Sequence, residues 1–115
     1  MAHLYVDTDV RVPTRDGTLL ATTVVRPFGP GAWPVVLMRT PYDRRSYASL
    51  TLQVHAFALA ESGYAVALQD VRGRNESTGV FEPFVNEARD GLDTLDWLAS
   101  QTWCDGSIGL AGASY

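Results

Sequence analysis

Cysteine is almost absent from this chain. Cys104 is the only one in 115 residues, so no internal disulfide can form and no thiolate metal cluster is suggested. Its expected state is a buried or half-buried thiol. Histidine is nearly as scarce, at His3 and His55, which leaves two positions for any imidazole base. No apolar run approaches the roughly 20 residues that cross a bilayer, so no membrane partner is expected. The stretch from Met1 to Asp7 lacks a basic region followed by an apolar core and does not read as a secretory signal. A cytoplasmic setting is the default expectation. Positive charge is outnumbered, nine basic against thirteen acidic residues for a net charge of −4. With no basic stripe, nucleic acid is not expected as a partner.

Hydrophobic residues make up 46% and charged residues 19%, the proportions of a globular chain rather than a disordered one. The length suits one domain. Leu4 to Val12 is rich in β-branched and aromatic residues and ends at Pro13. Thr14-Arg-Asp-Gly17 is a turn signal, and Leu19 to Arg26, rich in Thr and Val, completes an antiparallel hairpin closed by Pro27. The wholly apolar Val35 to Met38 reads as a strand covered on both faces. A helix follows over Leu50–Ser62, with Leu52, His55, Ala56 and Leu59 on one face and Gly63 as its C-terminal cap. Tyr64 to Leu68 is a second buried strand, ending in Gln69-Asp70. A second helix runs from Asn86, a candidate cap, to about Ser100, with Ala88, Leu92, Leu95 and Ala99 at helical spacing. Trp103-Cys-Asp-Gly106 reads as a turn, and Ser107 to Ala111 as a third buried strand. Strands alternating with helices imply crossover connections and a mostly parallel sheet, with the hairpin as an antiparallel margin.

The final residues, Gly109-Leu-Ala-Gly-Ala-Ser-Tyr115, bring an apolar strand to a tight turn with Ser114 at its apex. Gly112-x-Ser114 matches the first part of a Gly-x-Ser-x-Gly nucleophile elbow, with the last glycine due after Tyr115. Small residues are needed before such a serine because strand and turn pack closely, and Gly112 and Ala113 meet that demand. A serine hydroxyl needs a base, and the base an orienting partner. His3 sits near the chain start. His55 precedes the elbow on a helix face with Leu52 and Leu59, and reads as a packed or half-exposed helix histidine. The charged loop holding Asp70, Arg72 and Arg74 is open between a solvated turn and an Asp–Arg brace.

Four stretches together resemble the cocaine-esterase and X-Pro dipeptidyl-peptidase (CocE/NonD) group of α/β-hydrolases. They are Val12-Pro-Thr-Arg-Asp-Gly-Thr-Leu19, Arg39-Thr-Pro-Tyr-Asp43, Asp70-Val-Arg-Gly-Arg-Asn-Glu-Ser-Thr-Gly79 and Trp103 to Tyr115. The resemblance covers nearly the whole chain and implies an α/β class. Residues 1–115 would be the N-terminal portion of an α/β-hydrolase domain, strands 1–5 and the first two helices, ending at the elbow. It implies Ser114 as nucleophile, the Tyr42 hydroxyl as an oxyanion donor and the Tyr115 N–H as the second donor. It implies a small-molecule ester or peptide substrate and a reaction needing no cofactor and no metal. The catalytic Asp and His of the group follow the nucleophile, so the chain alone is expected to be inactive, with the C-terminal part of the hydrolase as its missing partner. The elbow strand would then stand as an apolar edge, leaving the chain marginally stable. Two alternatives stay open, a complete non-catalytic α/β binding or dimerising module and one half of a split hydrolase.

Overall fold

The computed structural model of the chain describes residues 3–46, 50–82 and 84–111. In chain order these form β1 (Leu4–Pro13), β2 (Leu19–Pro27), β3 (Trp33–Thr40), α1 (Leu50–Glu61), β4 (Ala65–Asp70), α2 (Glu87–Ala99) and β5 (Cys104–Ala111). The five strands make one sheet in the order β1-β2-β4-β3-β5. The hairpin is antiparallel, and its β2 docks antiparallel on β4. The β4–β3 and β3–β5 pairs are parallel. The mixed sheet anticipated from the sequence is therefore present.

All six residues of β4 are buried, as expected for a strand with neighbours on both sides and a helix on each face. On one face Met38, Val66 and Leu68 pack against Leu52 and Ala56 of α1. On the other, Val35, Leu37, Ala65 and Ala67 meet Leu98 of α2, with Trp33, Trp97, Trp103 and Ile108 around them. Gly63 closes α1 at φ +98°, and the Tyr64 N–H donates to Leu59 O across the cap. His55 is exposed.

Three local readings are corrected. The fully buried residues of α2 are Asp90, Thr94 and Leu98, whereas of the four at helical spacing only Leu95 packs against the core and Ala88, Leu92 and Ala99 are exposed. The inward face is polar because Arg72 and Gln69 wait beneath it. Arg72 Nε and Nη2 reach the Asp90 carboxylate, each at 2.8 Å, and the Thr94 hydroxyl donates to Gln69 Oε1 at 3.1 Å. Asn86 makes no side-chain cap; its Oδ1 accepts from Arg89 Nη2 at 3.0 Å instead. β5 begins at Cys104, because the register slips between the Trp33–Cys104 and Val35–Ile108 pairs and Gly106, at φ +97°, absorbs the irregularity.

The hairpin turn is bolted to α2 by two arginine forks. Arg72 also holds Asp16 (Nη1 to Oδ2, 2.8 Å), and Arg15 holds Asp93 through Nε and Nη2 at 3.0 and 2.8 Å. Arg72, then the Thr14 hydroxyl and the Thr18 N–H, keeps the Asp16 carboxyl far below the usual carboxylate range. A depressed carboxylate stabilises the fold above its unfolded pKa of about 3.8, and that contribution is lost as pH falls from there toward the folded value. Asp16→Asn is therefore expected to lower the denaturation midpoint at neutral pH, with the gap to the unchanged chain closing only below about pH 4. A gap that closed between pH 5 and 7 would contradict this linkage.

Among the described residues β5 is a terminal strand, and Leu110 on it is 71% exposed. Apolar edges invite pairing between chains, and a lysine there opposes it. Leu110→Lys is expected to raise the soluble fraction of the chain on expression; an unchanged fraction would mean this edge does not limit solubility.

Candidate functional site

Ligands of parallel sheets gather at the carboxyl ends of the strands. In this chain that edge is built by the loops after β3 and β4, because Thr40 and Asp70 are register partners at the strand ends. β5 arrives at the same edge, with Ala111 opposite Met38. Ser114 and Tyr115, the expected nucleophile and second oxyanion donor, lie outside the described residues. Tyr42 is described. It stands two residues past the end of β3 and is 45% exposed.

The loop bearing Tyr42 is held by its main chain. The Tyr42 N–H donates to Thr40 Oγ1 at 2.9 Å, and Arg74 Nε donates to Pro41 O at 3.1 Å. The Ser46 hydroxyl donates to Tyr42 O at 2.9 Å. Gln53 of α1 donates through Nε2 to Arg44 O (2.9 Å) and Ser46 O (2.8 Å). Asp43 between them takes φ +69°, a left-handed conformation uncommon outside glycine.

Arg44 closes the loop from inside. Its side chain is fully buried, and so is that of Asp70. The Arg44 N–H donates to Asp70 Oδ1 at 2.8 Å while Nη1 donates to Asp70 Oδ2. Nε reaches Thr23 Oγ1 of β2 at 3.0 Å, and Nη2 reaches Thr8 O of β1 at 2.8 Å and Glu76 Oε1 at 3.2 Å. Burial pushes the Asp70 carboxyl up from its ordinary value, against the pull of the Arg44 amide and guanidinium. The brace left open by the sequence is thus real for Asp70, but its arginine is Arg44. Arg72 serves α2 and Arg74 serves Pro41. Nothing in the sequence singled out Arg44; the available signal was its place directly after Pro-Tyr-Asp, with a lone acid closing an apolar strand elsewhere.

The loop after β4 folds back on Asp70. Asn75, at φ +54°, donates through Nδ2 to Asp70 Oδ1 at 3.3 Å, and the Ser77 hydroxyl donates to Asp70 O at 2.7 Å while accepting from the Ala21 N–H at 2.8 Å. Gly73 takes φ +73°, and a Cβ there would stand 2.1 Å from Phe81 N. Gly73→Ala is expected to cost at least about 2 kcal/mol, strain and clash together. Gly63→Ala, left-handed but with nothing within 4 Å of the added carbon, is expected to cost only the backbone penalty of about 1 kcal/mol. Urea midpoints separate the two; equal losses would remove the clash argument.

A mixed sheet with helices on both faces and a hydrogen-bonded tyrosine loop at the edge where β5 ends has the architecture of the N-terminal part of an α/β-hydrolase domain. The chain belongs to the X-Pro dipeptidyl-peptidase (S15) family, whose profile matches residues 16–115. It is 43% identical to the cocaine esterase of Rhodococcus sp. (strain MB1 Bresler) over 111 residues, covering 96% of this chain and 19% of that protein. Among solved structures it superposes on a CocE/NonD family hydrolase from Staphylococcus aureus with a TM-score of 0.82 at 25% identity, covering 93% of this chain and 22% of that one. An α-amino acid ester hydrolase gives a TM-score of 0.79 at 34% identity, with 97% and 21% covered. The chain therefore spans about a fifth of the length of these relatives.

Proposed function

We propose that residues 1–115 act as the nucleophile-bearing N-terminal part of a serine hydrolase that cleaves esters or amides through a Ser114 acyl-enzyme. A histidine base takes the Ser114 proton as Oγ attacks the substrate carbonyl. The tetrahedral oxyanion accepts hydrogen bonds from the Tyr42 hydroxyl and the Tyr115 N–H. Collapse expels the alcohol or amine, which leaves with the proton held by the histidine, and water then releases the acid by the same steps reversed. Neither His3 nor exposed His55 suits the base, so Asp and His come from the remaining four fifths that the relatives possess, and the chain alone is inactive. The same complement would cover the apolar groove lined by Leu37, Leu92, Leu95 and Leu110.

The observation that carries this reading is the exposed phenol of Tyr42, on a hydrogen-bonded loop at the sheet edge to which β5 leads. Family membership and the Gly112-x-Ser114 sequence support it. Two of the three named relatives are ester hydrolases, so an ester is the first substrate to test. Replacing the matched N-terminal fifth of the Rhodococcus cocaine esterase by residues 1–115 is expected to yield an esterase that a fluorophosphonate labels at Ser114. Ser114→Ala should abolish both label and turnover. Tyr42→Phe should lower kcat by ~10²–10³, the usual cost of one oxyanion donor. The 115-residue chain alone should take no label. Labelling of that chain, or full turnover in the Ser114→Ala chimera, overturns the reading.

A further inference from the structure

We infer that Arg44 is a positioning residue for the reaction, holding the Tyr42 phenol at the oxyanion site by locking the backbone of the loop that carries it. The inference rests on the oxyanion role proposed for Tyr42.

An arginine and an aspartate with no exposed side-chain surface each give up their hydration, and such pairs often stabilise no better than apolar residues of like volume. Filling space is thus a poor account of Arg44. Its bonding pattern gives a better one. Asp70 grips Arg44 by the main-chain N–H and by the guanidinium together, a closed ring that fixes the residue directly after left-handed Asp43. The other nitrogens anchor that ring to β1, β2 and the loop after β4. With Thr40 holding the Tyr42 N–H and Arg74 holding Pro41 O, the loop's polar backbone is satisfied inward. Its tyrosine ring is left outward. A donor of an oxyanion hole must be in place before charge develops, and a misplacement of about 1 Å can cost ~10²-fold. Lysine keeps the charge of Arg44 but lacks the planar fork that serves four acceptors at once.

The test is a double-mutant cycle in the chimera. Arg44→Lys is expected to lower kcat by ~10–10² with KM near its starting value, since a displaced oxyanion donor acts on the transition state. In the Tyr42→Phe background the same change should alter kcat by no more than about twofold, because the group it positions is already gone. Asp70→Asn, which breaks the ring from the other side, should repeat both results and carries the test if the Arg44 variant fails to fold by circular dichroism. Full losses that add in the double mutant, or a rise in KM with kcat unchanged, overturn the inference while leaving Tyr42 its role. If Tyr42→Phe alone is silent, the oxyanion reading itself falls.

Discussion

The buried ion pair between Arg44 and Asp70 ties the hairpin, the central strand and the edge loops to one another. It lies where β1, β2, β4 and the two loops at the carboxyl edge meet. Two charges without water cannot tolerate a missing partner, since breaking such a pair leaves an uncompensated buried ion. All of its bonds close only when the hairpin docks on β4 with Thr23 opposite Leu68. A slip of one residue would turn Thr23 to the other face of the sheet and orphan Arg44 Nε. The pair therefore couples the hairpin's register to the shape of the loops at the carboxyl edge of the sheet, and a local error in either is felt by both.

The same logic recurs on the opposite face with different residues. All nine cations of the chain are arginines, and the links beneath α2 use the forked guanidinium that lysine cannot imitate. Arg72 spans Asp16 and Asp90, and Arg39 bridges Gln69 at 2.7 Å and Glu87 at 2.9 Å. Helix α2 is consequently held over the sheet by polar contacts along Glu87, Asp90 and Thr94, with Leu98 as its apolar end.

That arrangement explains what could be read beforehand and what could not. Val35 to Met38 and the Tyr64–Leu68 stretch, of which only exposed Tyr64 falls outside β4, announced themselves because a strand covered on both faces has no polar positions to spare. The hairpin followed from Asp-Gly at a turn that needs a left-handed residue. Helix α2 was legible as a helix but not in its orientation, because periodicity assumes that the inward side is apolar. Leu92 and Leu95 instead line the groove beside β5, and only Leu98 is fully buried. The Tyr42 position came from likeness to a family, whereas Arg44 was invisible. A charge becomes a core residue only through partners from β1, β2 and β4, the nearest of them 21 residues away in sequence, and no local pattern encodes that meeting.

Backbone strain collects at the same edge. Among the described residues three non-glycines take positive φ, namely Asp43, Asn75 and Phe84, and all sit in the loops after β3 and β4. Such conformations cost of order 1–3 kcal/mol each and persist only where the surroundings over-determine them. For two of the three the agent is the same carboxylate. Asp70 Oδ1 accepts from the Arg44 N–H, directly after Asp43, and from the Asn75 side chain. One buried acid thus holds two strained loops in place at the sheet edge where β5 arrives. Its own tendency to take up a proton, raised by burial, is opposed by the arginine whose position the loop requires. Removing the charge from either partner releases both loops together, so the rigidity of the edge is a shared property of the ring and cannot be assigned to Tyr42's immediate neighbours alone.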